Sequence, residues 1–134
     1  MIPGCEIKLL ITDFDGTLVD TFRANYMAYR KAFEEVGLVL CETDYRCCFG
    51  YRFEKFMEVC GVTDEKKAAE IKELKSFYYP DYFKYLQVND VLLRLLLTFK
   101  KGGGKIAVAS TARRKNLDNV LRYIGVEKTL IYAT

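Results

Sequence analysis

Three short runs of apolar residues stand out along the chain, at positions 7–12, 106–110 and 129–133. Each run is almost continuous and only five or six residues long, which is typical of a strand covered on both faces rather than of a helix. The pattern therefore predicts three buried strands, one at the beginning of the sequence and two near its end.

Amphipathic helices are predicted between the first two strands, because apolar residues recur there at three- and four-residue steps. The predicted helical segments are 22–36, 45–60 and 64–79. Asp20 or Thr21 is the expected cap of the first of these helices, and Gly37 is its expected end. Aromatic residues make up much of the apolar faces, and we expect them to pack against one another.

Two more helices are predicted in the last third of the chain. Asn89 or Asp90 can cap a helix that continues through Phe99, and this helix is apolar on most sides, so we expect it to be deeply buried. Three consecutive glycines, 102–104, end it before the second strand. A final amphipathic helix follows that strand and ends at Gly125.

The order of elements indicates an α/β protein. Helices that alternate with buried strands imply parallel pairing through right-handed crossovers, in a three-layer α/β/α sandwich. With 134 residues, the chain suits one compact domain or a small core that carries an insertion.

Composition narrows the function classes. The net charge is +3, and the densest basic stretch, Arg113 to Lys115, is a short one that suits a solvated helix start, so we expect no nucleic-acid partner. The longest apolar stretch, 91–99, is too short to cross a bilayer, and no signal peptide is visible at the N-terminus, so we expect no membrane partner.

The chain has five cysteines and no histidine. The five cysteines include no C-x-x-C pair, and we expect them to be reduced, mostly buried thiols in a cytoplasmic protein. The absence of histidine excludes Cys/His zinc sites and Ser-His-Asp or Cys-His catalysis. Acid–base chemistry must therefore fall to carboxylates, lysines, tyrosines or cysteines.

Two aspartates follow the first predicted strand directly, in the stretch LLITDFDGTLVD at residues 9–20. Because ligands gather beyond the carboxyl ends of strands in open α/β sheets, Asp13 and Asp15 are candidate reaction-centre residues, with Phe14 directed away from them. Two close carboxylates favour a hard cation, and Mg²⁺ also accepts phosphate oxygens. Gly16 permits a tight turn whose N–H groups can approach an anion.

Two other structures would give a similar acidic pattern. One is a solvated turn with a helix cap, and the other is part of a calcium loop. A calcium loop needs further ligands at alternate positions, and Leu18 and Val19 supply none. The strand before the aspartates and the helix after them favour a reaction centre.

In this context ITDFDGTLVDT, residues 11–21, resembles the first motif of the haloacid dehalogenase superfamily, an apolar strand followed by D-x-D-G-T. IAVAST, residues 106–111, resembles the second motif, a strand that ends in Ser110. The helical segment between them is similar to the helical cap that the family inserts after its first motif. The resemblance implies a Rossmann-like parallel sheet formed by residues 1–17 and 87–134, with a helical cap at residues 18–86.

The resemblance also implies a role for each matching residue. Asp13 would be the nucleophile that forms an aspartyl-phosphate, and Asp15 the general acid and base. The cofactor would be Mg²⁺, held by the Asp13 carboxylate and the Asp15 backbone carbonyl. Ser110 and the next N–H, of Thr111, would bind the transferring phosphoryl group, which Gly16 and Thr17 of the first motif would also contact.

Asp15 favours phosphate-ester hydrolysis, since family members that dehalogenate or cleave phosphonates lack this second aspartate. The expected substrate is a small phosphorylated metabolite. For Ser110 a turn-closing or helix-capping role stays open, and for Asp20 a capping role is preferred to a catalytic one.

The family has two further parts, a lysine and an acidic pair, which should follow the third strand, whereas this sequence ends at Thr134. We therefore expect an incomplete core in which the first strand has an open edge, covered by self-association or by a partner chain. Two hypotheses remain: a Mg²⁺-dependent phosphatase, or a catalytically incomplete relative that binds phosphate or a protein.

Overall fold

The computed structural model describes residues 6–126 and 130–133. Two residues named from the sequence, Cys5 and the Thr129 that would begin the third strand, lie outside these ranges. In the described part of the chain no helix has the length and apolar character needed to cross a membrane.

The first half of the chain forms two short strands and four helices. They are β1 (Leu9–Asp13), β2 (Val19–Asp20), α1 (Phe22–Glu35), α2 (Glu42–Cys48), α3 (Phe53–Val59) and α4 (Glu65–Tyr78). A 3₁₀ helix at Tyr79–Tyr85 follows, and then β3 (Gln87–Val88), α5 (Asp90–Lys101), β4 (Lys105–Ser110), α6 (Arg114–Tyr123) and β5 (Leu130–Ala133).

The three predicted strands form one parallel sheet in the order β1-β4-β5. Asp13 pairs in register with Ala109, so the carboxyl ends of β1 and β4 lie side by side. A smaller antiparallel pair joins β2 to β3, with Val19 opposite Val88. The structure thus confirms an α/β fold with a parallel sheet and a helical insertion between its first two strands.

One hydrophobic cluster covers one face of the sheet. Ile106 and Val108 of β4 are buried there, together with Leu96 of α5 and Leu117 of α6. Because both crossovers of a β1-β4-β5 sheet run in the same direction, right-handed connections place α5 and α6 on the same face.

The other face of β1 carries apolar side chains that the described residues leave open. Ile11 is 61% exposed and Ile7 is 70% exposed, and Leu9 between them is also exposed. In the described sheet β1 is an edge strand, as the resemblance implied. The exposed apolar face of β1 and its unpaired edge are the surfaces that led us to expect self-association.

A second hydrophobic cluster holds the inserted helices together. It is built from aromatic rings of α1, α2 and α3, among them Tyr29 and Phe56, whose ring centres lie 4.9 Å apart in a T-shaped arrangement. The predicted packing role of the aromatic residues is therefore confirmed.

Two predictions about helices were wrong. Residues 45–60 form two helices rather than one, because Gly50 adopts a φ of +93°, which a continuous right-handed helix cannot contain. Helix α5 is not deeply buried: Leu96 is its one fully buried residue, while Val91 and Leu95 are 79% and 58% exposed. Only one side of α5 meets the sheet, and the described chain offers nothing to cover the opposite side.

The expected burial of the cysteines was also mostly wrong. Of the four described, Cys48 is buried and Cys60 is half-buried, whereas Cys41 and Cys47 are exposed. All four are free thiols.

Candidate functional site

The site lies where β1 and β4 end. The parallel pairing continues one residue past β1, since the N–H of Phe14 donates to the carbonyl of Ala109 at 3.1 Å. The Phe14 side chain is buried in the core, so the alternation along this extended segment directs Asp13 and Asp15 away from the core. The register of the sheet therefore places both aspartates beside Ser110.

The turn after Asp13 is held by short-range hydrogen bonds. Gly16 has a φ of +82°, a value that side chains disfavour, and its N–H donates to the carbonyl of Val19 at 2.8 Å. The hydroxyl of Thr17 donates to Oδ2 of Asp13 at 3.2 Å. Residues 13–17 thus form a tight turn, and the Thr17 hydroxyl orients the Asp13 carboxylate.

Asp15 accepts two hydroxyl hydrogen bonds. Thr21, which is fully buried, donates to Oδ1 at 2.6 Å, and Ser110 donates to Oδ2 at 3.2 Å. Thr21 occupies the cap position of α1 but makes no side-chain cap bond, because its hydroxyl is directed to Asp15. Asp20 accepts from the N–H of Phe22 at 3.2 Å, which agrees with the capping role expected for it.

Ser110 is engaged on both sides, since its oxygen also accepts the N–H of Ala112 at 3.0 Å. In this arrangement Ser110 fixes Asp15 and closes the turn after β4. Its expected contact with a phosphoryl group stays a prediction.

A cavity of about 500 Å³ opens above these residues, between the sheet and the inserted helices. Asp13, Asp15, Ser110 and Thr111 line its sheet side, whereas Gly16 and Thr17 do not line it. Arg113 and Asn116 complete that wall. Four of the six predicted site residues thus come together around one cavity, and the remaining two support the turn beneath Asp13.

The opposite wall is aromatic. It includes Tyr29, Tyr45, Phe53 and Phe56. Burial, and to a smaller extent the nearby charge of Asp15, raises the pKa of Tyr29 well above its ordinary value. Burial and then the neighbouring phenols and Asp15 raise the pKa of Tyr45 in the same way. Both phenols are therefore neutral at physiological pH and can only donate or accept hydrogen bonds.

Lys75 of α4 also lines the cavity, and the sequence had not singled it out as a site residue. Its side chain is buried, with 4% exposure, and Nζ lies 3.7 Å from the ring centre of Tyr79. Burial lowers its pKa to about 7, against a smaller opposing effect of Asp15. One signal was available: Lys75 follows Ile71 by four residues, on the apolar side of the predicted helix.

Arg113 joins the two walls. Its guanidinium lies 2.9 Å from Glu73 Oε1 and donates to Ser76 Oγ at 3.1 Å, and both partners belong to α4. From the sequence we expected a solvated helix start for the Arg113–Lys115 stretch. Arg113 lines the cavity, but its charge is already paired with Glu73.

The oxygen atoms around the two aspartates could serve as ligands of Mg²⁺. Among the described residues no group of three or more His, Cys, Asp or Glu side chains is arranged to hold a metal ion. Asp13 uses one carboxylate oxygen for Thr17, which leaves the other for a ligand, and the Asp15 carbonyl accepts none of the backbone hydrogen bonds of the turn. Two protein oxygens fit Mg²⁺, which keeps several waters and takes substrate phosphate oxygens.

Comparison with known proteins supports the resemblance. A sequence model of the haloacid dehalogenase-like hydrolases matches residues 10–132. Tyrosine-protein kinase PtkA of Mycobacterium tuberculosis is 25% identical over 127 residues, which cover 94% of this chain and 43% of PtkA. Protein CbbY of Rhodobacter capsulatus is 29% identical over 126 residues, which cover 87% of this chain and 56% of CbbY. The chain thus spans about half the length of these relatives.

Among solved structures, a hydrolase from Pseudomonas syringae has the same fold, with a TM-score of 0.78 and 18% sequence identity. The match covers 96% of this chain and 61% of that one. At this identity the likeness shows the fold alone.

Proposed function

The chain belongs to the haloacid dehalogenase-like hydrolases, and from that premise we propose that it hydrolyses phosphate monoesters of small metabolites through an aspartyl-phosphate on Asp13. The observation that carries this proposal is that Asp13, Asp15 and Ser110 line one cavity, with Ser110 hydrogen-bonded to Asp15. The sequence predicted only that these residues lie at the ends of strands, and the cavity that all three line is seen in the structure.

In the first step, a carboxylate oxygen of Asp13 attacks phosphorus and the bond from phosphorus to the ester oxygen breaks. Asp15 gives its proton to that departing oxygen, so the leaving group departs as a neutral alcohol. The hydroxyls of Thr21 and Ser110 hold the Asp15 carboxyl in place during this transfer.

In the second step, water attacks phosphorus and the bond to Asp13 breaks, which releases inorganic phosphate and restores the Asp13 carboxylate. Asp15, now ionised, takes the proton of that water. Asp13 and the Asp15 carbonyl would hold Mg²⁺, which supplies charge neutralisation for the phosphoryl oxygens when it is bound. Ser110 and Thr111, which line the cavity, are proposed to contact those oxygens through hydroxyl and N–H groups, whereas Gly16 and Thr17 hold the turn beneath Asp13.

We assign residues 18–86 to a cap and residues 1–17 and 87–134 to the core. The β2–β3 pair supports this division, since it joins the two points at which the chain leaves and re-enters the core. We also infer a cytoplasmic location, because free thiols persist in a reducing compartment. Nucleic acid and membranes are not among the partners we propose.

A second candidate function is supported by the similarity to a protein named as a tyrosine kinase. In this alternative the chain binds a phosphate group or a protein partner without turnover. The two candidates differ in one respect that can be measured, because only the hydrolase consumes a phosphate ester.

The test is hydrolysis of p-nitrophenyl phosphate with Mg²⁺ and with a chelator. We expect turnover that requires Mg²⁺ and is lost in Asp13→Asn. Asp118→Asn is the matched control, since it makes the same chemical change on the exposed face of α6, where Asp118 pairs with Arg114. Turnover that survives Asp13→Asn would reject the mechanism, and no turnover at all would favour the binding function.

A further inference from the structure

The four described cysteines all belong to one part of the cap. Cys41 precedes α2, Cys47 and Cys48 are the last two residues of α2, and Cys60 directly follows α3. The proposed reaction uses none of these thiols. Their concentration around two short helices therefore calls for a separate explanation.

Two of these cysteines meet inside the cap. Cys48 is 2% exposed and belongs to the second hydrophobic cluster, against which the half-buried side chain of Cys60 packs. Their thiol groups also share a hydrogen bond. The packing of α2 against α3 thus places two sulfur atoms in contact, whereas Cys41 and Cys47 are exposed.

Both cysteines lie at turns. The carbonyl of Cys48 accepts the N–H of Tyr51 at 2.9 Å, just after α2, and the N–H of Cys60 donates to the carbonyl of Phe56 at 3.0 Å, at the end of α3. Sulfur atoms must approach from contact to about 2.05 Å to form a disulfide. Helix ends adjust more readily than helix interiors, so these positions suit such an approach.

Cys48 also faces the catalytic cavity. It lines the same space as Asp13 and Asp15, and so do the residues that follow it, 49–52, whereas Cys60 does not. A covalent bond to Cys60 would draw Cys48 toward the interior of the cap. Because the turn after α2 is fixed to the Cys48 carbonyl, the cavity wall formed by residues 49–52 would move with it.

We propose that Cys48 and Cys60 form a reversible disulfide in the presence of a low-molecular-weight disulfide such as oxidised glutathione, and that this bond slows hydrolysis by displacing residues 49–52. The effect on hydrolysis rests on the proposed phosphatase function. The bond itself forms without turnover, so it can be measured independently.

The exchange takes two steps. Cys60, the more exposed of the pair, first attacks one sulfur of the small disulfide as a thiolate, so that the small S–S bond breaks and one small thiol leaves. The Cys48 thiolate then attacks the Cys60 sulfur, and the second small thiol leaves. The protons of both cysteines pass through water to the departing thiolates. Two protein thiols are thereby oxidised, and one small disulfide is reduced to two thiols.

Burial should make this exchange slow. It raises the pKa of Cys60 to about 11 and also raises that of Cys48, so little thiolate is present near pH 7. The neighbouring Asp44, Cys41 and Cys47 add smaller increases. The pair should therefore respond to sustained oxidation rather than to a brief exposure.

The first experiment incubates the unmodified protein with oxidised glutathione, alkylates the remaining thiols and maps the tryptic peptides. Trypsin separates Cys48 from Cys60, because it cleaves after Arg52. We expect residues 47–52 to be joined to residues 56–66 in a cross-link that dithiothreitol releases. Absence of this cross-link after prolonged incubation would overturn the proposal.

Variants identify the two sulfur atoms. Cys47 and Cys48 share one tryptic peptide, so the cross-link should persist in Cys47→Ser and disappear in Cys48→Ser. Cys60→Ser should also lose it. Cys41→Ser is the matched control, because it removes an exposed thiol before α2. A cross-link that persists in Cys48→Ser, or a main product that joins any other two cysteines, would show that the assignment is wrong.

Activity tests the second half of the proposal. Hydrolysis of p-nitrophenyl phosphate should fall about tenfold in the oxidised protein and recover with dithiothreitol. Cys60→Ser should keep full activity under the same oxidation, because it lacks the bond and Cys60 does not line the cavity. A cross-link that leaves hydrolysis unchanged would reject the control of activity. A cross-link in a protein that hydrolyses nothing even when reduced would support the disulfide and reject the phosphatase.

Discussion

The guanidinium of Arg113 lies 2.9 Å from the carboxylate of Glu73, and this ion pair joins the loop after β4 to cap helix α4. The same guanidinium donates to Ser76, which is buried. Arg113 therefore links the sheet side of the cavity to the cap side through these two bonds.

The two bonds of Arg113 should differ in strength. The Glu73 side chain is 63% exposed, so Glu73→Gln should lower the free energy of unfolding by less than about 1 kcal/mol. Arg113→Met also leaves the buried Ser76 hydroxyl without its partner, and should cost about 1–2 kcal/mol. Urea denaturation of both variants measures the difference. Equal losses in the two variants would show that the Ser76 bond contributes nothing.

Lys75 should make stability depend on pH. Burial lowers its pKa from 10.5 to about 7, so between these values the unfolded chain holds a proton that the folded chain lacks. Stability attributable to this residue therefore rises with pH across that window. Of the charged groups that face Lys75, Asp15 opposes the lowering of its pKa and Arg113 adds to it, and the phenol rings of Tyr29 and Tyr79 lie beside it.

Accordingly, Lys75→Met should be more stable than the unmodified protein by about 2–4 kcal/mol near pH 6, and the difference should shrink toward zero near pH 10.5. Urea unfolding at several pH values provides the measurement. Lys66→Met, which changes an exposed lysine of the same helix, is the control. A stability difference that stays constant with pH would mean that folding does not change the pKa of Lys75.

Thr21 and Ser110 should contribute to catalysis in different ways. Thr21→Val removes the 2.6 Å bond to Asp15 without changing the size of the side chain, so kcat should fall about tenfold with KM nearly unchanged. Ser110→Ala should lower kcat similarly and also raise KM, if Ser110 contacts the phosphoryl group as well. Steady-state kinetics with p-nitrophenyl phosphate distinguish the two. Identical kinetic effects would limit Ser110 to positioning Asp15.

The open side of β1 should cause association between copies of this chain. Ile11 is 61% exposed on an edge strand, and a strand edge of this kind offers unpaired backbone groups to a second copy. Sedimentation of the 134-residue chain should show a concentration-dependent dimer, and Ile11→Lys should weaken it. A monomer at all concentrations would contradict this expectation.

Much of the fold could be predicted from local patterns. The strand at 106–110, the beginning of α4 near residue 64 and the end of α6 before Gly125 each depend on neighbouring residues, and the structure confirms them. The exposure of Val91 and Leu95 could not be predicted this way. An apolar helix shows which residues prefer burial, but only the rest of the fold determines whether anything covers them.

In the candidate site, too, the features set by neighbouring residues were predictable and those set by distant parts of the fold were not. Asp13 and Asp15 were predictable because a strand-end motif places them locally. Lys75 was missed because its burial depends on packing against Tyr29 and Tyr79. Tyr29 is distant in sequence, and Tyr79 belongs to the 3₁₀ helix that follows α4. The bond from Thr21 to Asp15 was missed because a threonine at a helix start is ordinarily interpreted as a cap.

The central claim is that Asp13 carries the phosphoryl group, and trapping tests it most directly. In Asp15→Asn the second step lacks its base, whereas p-nitrophenolate needs little protonation to leave, so the phosphorylated form should accumulate. Borohydride reduces an acyl phosphate to an alcohol, and peptide mapping then identifies the modified residue. We predict one equivalent of p-nitrophenolate released in a burst and the modification at residue 13. A burst with the modification elsewhere, or turnover by the unmodified protein without any trapped residue in Asp15→Asn, would contradict the account.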